Sequence, residues 1–336
     1  MDVGRFEFDL DTTWTAFFID ADRNIYSRYG GRDETTSDGR QTKASLLQTM
    51  REVLELHEQR KAASRLLVKD ADVHPAPSAK LMPKDIPLLH DNHSGCVHCH
   101  QVREYRLLQA FHDGTFRRDD LFPFPLPENI GLKLDRDHGH RVSELIEKSA
   151  AAVEGLRAGD TILRVNDVPV HSEGDVRWAL HRAKADQPMT VVARRESSLG
   201  DASTITTELR LRADWKQTEL GWRKSLRSVP LPLGFIGYAM GREERTSAGL
   251  KPDSLAIKVA SIRGSGLATN LDLKKGDLII EVAGQRGQRT LEQFKSDLLR
   301  RYAPGDKVEI RVLRDGRDVA VEGQFPKWHT TDVSVP

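Results

Sequence analysis

The chain has 336 residues, 38% hydrophobic and 30% charged, a balance that suits two or three folded domains with polar surfaces. Its 51 Lys and Arg stand against 50 Asp and Glu, so the overall charge favours neither a nucleic-acid nor an anionic-membrane partner. No apolar run is long enough for an integral membrane segment, and two cysteines cannot build a disulfide framework.

The opening, MDVGRFEFDLDTTW, alternates acidic and aromatic residues and lacks the charged-then-apolar plan of a secretion signal. Taken literally, it places the chain in the cytoplasm. Next, WTAFFIDADRNIYSRY reads as strand, turn, strand, with DADRN supplying the turn. A polar loop, GGRDETTSDGRQTK, follows; it lacks the Gly-Lys-Ser/Thr of a phosphate loop. DADRN likewise lacks the Gly and Glu of a calcium loop. The run KASLLQTMREVLELHEQRKAASRLL then sets Leu46, Leu47, Met50, Val53, Leu54 and Leu56 at helical spacing. This opening resembles the closing half of a thioredoxin-like domain without the half that carries the dithiol. A half-fold leaves a sheet edge and face uncovered, so the chain is expected to have lost its true beginning.

Residues 70–95, rich in Pro, Ala and polar residues, read as an extended linker. The stretch HSGCVHCHQVREYRLLQAF follows and holds both cysteines, Cys96 and Cys99. Val102, Tyr105 and Leu108, with Phe111 or Ala110, make one helical face that Gly114 ends. Cys-x-x-Cys-His is the attachment pattern of c-type haem: Cys96 and Cys99 would bond the vinyl groups, and His100 would reach the iron. The second ligand would come from His93, His90, Met82 or His112. Zinc is the alternative cofactor, held by Cys96, Cys99, His93 and one of His90, His98 or His100. A thioredoxin-style dithiol and two chemically silent cysteines also remain open.

Beyond the Pro-interrupted LFPFPLPEN the chain repeats itself. SAAAVEGLRAGDTILRVNDVPV corresponds to GSGLATNLDLKKGDLIIEVAGQRG; each has small residues, a Gly-Asp turn and a β-branched strand. Gly159 and Gly276 suit tight turns, and Asp160 and Asp277 cap them. Amphipathic helices, SEGDVRWALHRAK and TLEQFKSDLLRRY, come next, and strands close each copy. These are two copies of one domain.

The copies resemble PDZ domains of the bacterial type found behind the protease domain of periplasmic trypsin-like heat-shock proteases. The resemblance rests on LGFIGYAMGREERTSAGLKPDSLAIKVASIRGSGLATNLDLKKGDLIIEVAG in the second copy and NIGLKLDRDHGHRVSELIEKSAAAVEGLRAGDTILRVND in the first. It implies recognition of peptide or protein C-termini, added as a strand to a sheet edge with the carboxylate held by loop amides. Carried over, the carboxylate loops are Ile130, Gly131 and Leu132 in the first copy, and Leu233, Gly234, Phe235 and Ile236 in the second. Val176 and Leu180, and Phe294 and Leu298, would line the side-chain pockets from the helices. The same residues read equally as core, and the Pro-rich SVPLPLGF approach could plug the second groove. GSGLATN and NHSGC supply no Ser nucleophile with a triad. Trp178, Trp215 and Trp222 are expected in packing.

The expected fold is α+β and multidomain. It comprises a partial thioredoxin-like α/β segment at 1–68, a linker at 69–95, a short helical Cys-x-x-Cys-His segment at 96–122, and PDZ copies at 123–215 and 226–327, each a partly open β-barrel with flanking helices. The expected function is an extracytoplasmic adaptor, periplasmic in placement, that binds C-termini beside a redox or haem c centre with a redox partner protein. The alternatives are a truncated thiol-disulfide oxidoreductase with PDZ substrate clamps, and a purely structural scaffold.

Overall fold

The computed structural model describes residues 2–65, 82–92, 96–184, 186–197, 200–226 and 233–326. Near the start, β1 (Ala16–Ile19) and β2 (Ile25–Tyr29) form an antiparallel hairpin. Its turn is closed by the Asp20 carboxylate, which accepts from the Asn24 backbone and side-chain nitrogens at 2.8 Å each. Among the described residues no further strand joins this pair, so no thioredoxin-type sheet is present there.

Helix α1 (Lys43–Arg65) forms as its periodicity predicts, but with a different face inward. Ser45, Thr49 and Val53 are buried, whereas Leu47, Met50 and Leu54 are exposed. The buried polar groups have partners: Ser45 Oγ lies 2.7 Å from the Tyr29 hydroxyl, and Thr49 Oγ1 donates to the Ser45 and His171 carbonyls. A satisfied hydroxyl loses little on burial, so apolar spacing alone does not fix the inward face.

The described part of the expected linker, 82–92, is not extended. It holds a 3-10 turn, Pro83–Asp85, and α2 (Pro87–Asn92). Helix α3 (Cys99–His112) follows, burying Val102, Tyr105, Leu108 and Phe111. Gly114 takes a positive φ of 67° just beyond its end.

The first copy comprises β3 (Leu132–Leu134), β4 (Val142–Leu145), α4 (Ala150–Val153), β5 (Thr161–Val165), β6 (Val168–Pro169), α5 (Glu173–Arg182), β7 (Met189–Glu196) and β8 (Ala202–Leu209). The second comprises β9 (Phe235–Ala239), α6 (Arg242–Ser247), β10 (Ile257–Ile262), α7 (Leu267–Asn270), β11 (Leu278–Val282), α8 (Leu291–Arg301), β12 (Lys307–Arg314) and β13 (Arg317–Gln324). In the first, β3 pairs with β4 and a second sheet runs β6-β5-β7-β8; in the second, one sheet runs β13-β12-β11-β10-β9. Neither order returns to its first strand, so the expected partly open barrels are open sheets.

The Gly-Asp turns behave alike in both copies. Gly159 and Gly276 have φ of 93° and 97°, a region costly for any side chain with a Cβ. Asp160 and Asp277 are buried and accept from Arg157 N and Lys274 N at 2.8 Å. Each then takes a forked pair of hydrogen bonds from an arginine on a later strand, Arg195 or Arg314, at 2.7–2.8 Å.

The chain divides into two compact units, Met1–Asp85 with Leu121–Thr218, and Ile86–Asp120 with Glu219–Pro336. The N-terminal hairpin and α1 thus share a unit with the first copy, and the Cys-x-x-Cys-His helix shares one with the second.

Candidate peptide-binding grooves

The second copy's candidate groove starts at Leu233 and Gly234. Gly234 has φ of 68°, and a Cβ there would lie 3.2 Å from the Gly266 Cα. The loop is tied to the strand and turn beside it: Arg263 N donates to Gly234 O, and Ala268 N to Leu233 O, both at 2.8 Å. From the loop runs β9, the terminal strand of its sheet among the described strands. Such an edge carries backbone donors and acceptors that can pair with another chain. Phe235 and Ala239 turn inward to pack on the core, while Ile236 and Tyr238 are 49% and 41% exposed.

Helix α8 is started by a capping box, Thr290 with Gln293. Its Phe294 and Leu298, four apart, are fully buried and join Leu233 in one apolar cluster, with Phe235 packed against it. The structure therefore leaves Ile236 facing outward and brings Leu233, Phe294 and Leu298 together as core of the second copy, with Phe235 against them. Truncating a side chain so buried costs about 2–5 kcal/mol. On the flank of α8, Leu291 and Lys295 stay half-buried. The Pro-rich approach at 227–232 lies outside the described residues.

The first copy assembles the same parts. Ile130, Leu132, Val176 and Leu180 are buried in one cluster, and Gly131 has φ of 97°. A Cβ on Gly131 would collide with the Ser149 side chain at 2.2 Å or less. Here the Gly131 N–H is already engaged, donating to Glu128 O at 3.0 Å.

The outer side of α5 is covered by the N-terminal segment. Every residue from Asp175 to Leu180 is buried, Arg177 to 2% exposure. Arg177 Nη2 donates to Asp9 Oδ2 at 2.8 Å, and Trp178 Nε1 donates to Glu7 Oε2 at 3.1 Å. The Arg28 guanidinium lies 3.6 Å over the Trp178 ring. The Asp175 carboxylate accepts from Ser27 Oγ and Arg28 N at 2.7 and 2.8 Å. Arg40 reaches Asp33, Glu128 and Glu173 at 2.7, 3.0 and 3.1 Å.

These pairings shift the acids and bases strongly. Burial alone would raise the Glu7 carboxyl, yet hydrogen bonding and charge from His181, with Trp178 and Arg182, hold it at about 2. Asp33 is likewise held at about 2 against burial by hydrogen bonds from Thr35 and Arg40. Burial works against the Arg40 charge, but Glu173 and Glu128 outweigh it and raise its pKa further. The sequence marks none of these residues as functional; Glu7, Asp9, Arg28 and Arg40 pair with partners far along the chain.

At the Cys-x-x-Cys-His segment, Cys96 and Cys99 are exposed and outside any disulfide. Helix α3 begins at Cys99, which puts His100 in its first turn, and the His98 and His100 rings stack 5.8 Å apart. His93 lies outside the described residues. Two other candidate ligands have carboxylate neighbours: His90 is 3.0 Å from Asp91 and His112 is 2.9 Å from Asp113. Among the described residues no group of three or more His, Cys, Asp or Glu side chains is arranged to hold a metal ion.

The PDZ domain family matches residues 129–209 and 234–323, together half of the chain. The chain is 25% identical over 191 residues to the probable periplasmic serine endoprotease DegP-like of Marinomonas sp. (strain MWYL1), covering 57% of this chain and 38% of that protein. It is 26% identical over 167 residues to the periplasmic serine endoprotease DegP of Salmonella typhimurium, covering 50% of this chain and 31% of that one. The chain thus spans less than two fifths of the length of either relative. With that family matched in both copies, over half of its length, the chain belongs to the PDZ-domain family.

Proposed function

We propose that this protein is an extracytoplasmic adaptor that captures peptide or protein C-termini, chiefly through its second PDZ copy. The observation that carries the reading is β9: a terminal strand, with Ile236 and Tyr238 outward, that lies over the core residues Leu233, Phe294 and Leu298. An extended peptide would pair its backbone with that edge and turn alternate side chains toward α8. Its carboxylate would sit at the Leu233–Gly234 turn, where backbone N–H groups can converge on an anion. The extracytoplasmic placement follows the periplasmic relatives.

Fluorescence anisotropy on a pool of peptides ending in apolar residues tests this, each prepared as the free acid and as the C-terminal amide. The free acids should bind at least about tenfold more tightly, a difference of about 1.4 kcal/mol. Equal affinity for acid and amide, or no saturable binding, would reject the reading.

The Cys-x-x-Cys-His segment supports a second reading, a covalently attached haem c. The observation in its favour is that both thiols are unpaired and solvent-facing, with His100 one residue into the helix that follows. Cys96 and Cys99 would hold the porphyrin and His100 would bind its iron; such a group carries single electrons. Expression with a haem-ligation system should give a Soret band that survives denaturation. Colourless protein containing stoichiometric zinc would replace haem with the metal alternative.

A further inference from the structure

We infer that the first PDZ groove is filled by the chain's own N-terminal segment, residues 7–42, so that the two copies divide their work: the first is self-liganded and the second is the one that captures partners. This rests on the peptide-binding reading above.

The core side of α5 is Val176, Ala179, Leu180 and Ala183, all in the first copy's apolar cluster. At 100° per residue, Glu173 and Arg177 lie together on the flank next to that core. A peptide running between loop and helix would have to pass this flank. The Arg40 guanidinium touches Glu128, in the turn that leads into the Gly131 loop, and Glu173, at the first turn of α5. One side chain therefore spans the interval between loop and helix. Gly31 lies against the same row: a Cβ on it would meet Arg177 Nη1 at 2.9 Å and Glu173 Oε1 at 3.7 Å. Asp9 pairs with Arg177 on the same flank.

The second copy gives the contrast. Counting from the N-caps Ser172 and Thr290, Glu173 and Arg177 correspond to Leu291 and Lys295. Glu173 and Leu291 are both half-buried, but Lys295 stays half-buried where Arg177 is sealed. The Glu219 side chain, the Leu220 backbone, Gly221 and the Arg118 side chain do pack on α8, but at Arg300, Ser296, Gln293 and the Leu299 carbonyl, on the side of the helix away from Leu291 and Lys295. The cover on the first copy is held by hydrogen bonds to Asp175 and Trp178 and, along the Glu173–Arg177 flank, by ion pairs from Arg40 and Asp9. A buried pair loses its hold when one partner is neutralised and the other is left unpaired.

The test compares the full chain with Asp9→Asn/Arg40→Gln, which keeps shape while removing one charge at each site. Two measurements are made: calorimetric stoichiometry with a free-acid peptide that binds the wild type, and hydrogen exchange of residues 7–42, with β7 and β8 as the folding control. The wild type should take one peptide per chain. The variant should take two, with exchange in 7–42 faster by at least about tenfold and β7–β8 unchanged; Arg40→Lys alone should stay near one. Two peptides on the wild type overturn the inference. So does a variant that still takes one, whether or not its cover has loosened. If the wild type binds no peptide, the peptide-binding reading itself fails, and that result is distinct from either.

Discussion

Asp160 and Asp277 do one job twice. Each accepts a backbone N–H three residues earlier, fixing the turn, and each takes a forked pair of bonds from an arginine far along the chain. The capping half was legible in the sequence, because Gly-Asp at a turn is a local signal. The arginine half was not, since Arg195 and Arg314 sit in strands whose pairing only the fold creates. Charge-assisted forked bonds are the stronger kind, and Arg314, a quarter exposed, can return to water when its partner is lost. Asp277→Asn should therefore destabilise the second unit by about 1–3 kcal/mol. Adding Arg314→Gln should cost little more, because the two side chains share one interaction. Denaturant melts of the four proteins check this; full additivity of the two changes would contradict it.

At the scale of elements, the PDZ copies were readable and the N-terminal segment was not. Strands and helices of the repeat carry periodicity, caps and turn glycines that agree with one another. Helix α1 instead places Ser45 and Thr49 inward and leaves Leu47, Met50 and Leu54 outward, because hydroxyl partners on β2 and at His171 satisfy its polar face. The same helix brings Glu52 within 3.5 Å of His140 and 3.3 Å of His171. Burial, together with the His171 and Arg194 charges, lowers the His140 pKa from its ordinary 6.5, outweighing Glu52 and Asp175. Glu52 is also lowered: burial would raise it, but the two histidines and Gln48 prevail.

Both shifts act in one direction. A histidine depressed in the folded state binds its proton more readily when unfolded, so its stabilisation is present above the unfolded value and is lost as pH falls below it. A depressed carboxylate likewise loses its contribution as pH falls, from about 4.5 downward. The first unit's melting temperature should fall as pH drops from about 7 to about 5, the window set by the histidine, and His140→Gln should flatten that slope. A melting temperature flat across this range, or an unchanged slope in the variant, would contradict the account.

At the scale of the whole chain, two similar domains carry different surroundings. The duplication was legible because one domain appears twice in a single sequence. Their different burial was not, because it arises from polar and charged residues in the first 42 positions meeting partners more than a hundred positions away. The two units should accordingly respond differently to a peptide. The most direct measurement is backbone NMR shift mapping on the intact protein with a free-acid apolar peptide. The account predicts saturable shifts confined to Leu233–Ala239 and the Leu291–Leu298 side of α8, with Ile130–Leu134 and α5 unmoved. Shifts centred on Ile130–Leu134, or none at Leu233–Ala239, would contradict it.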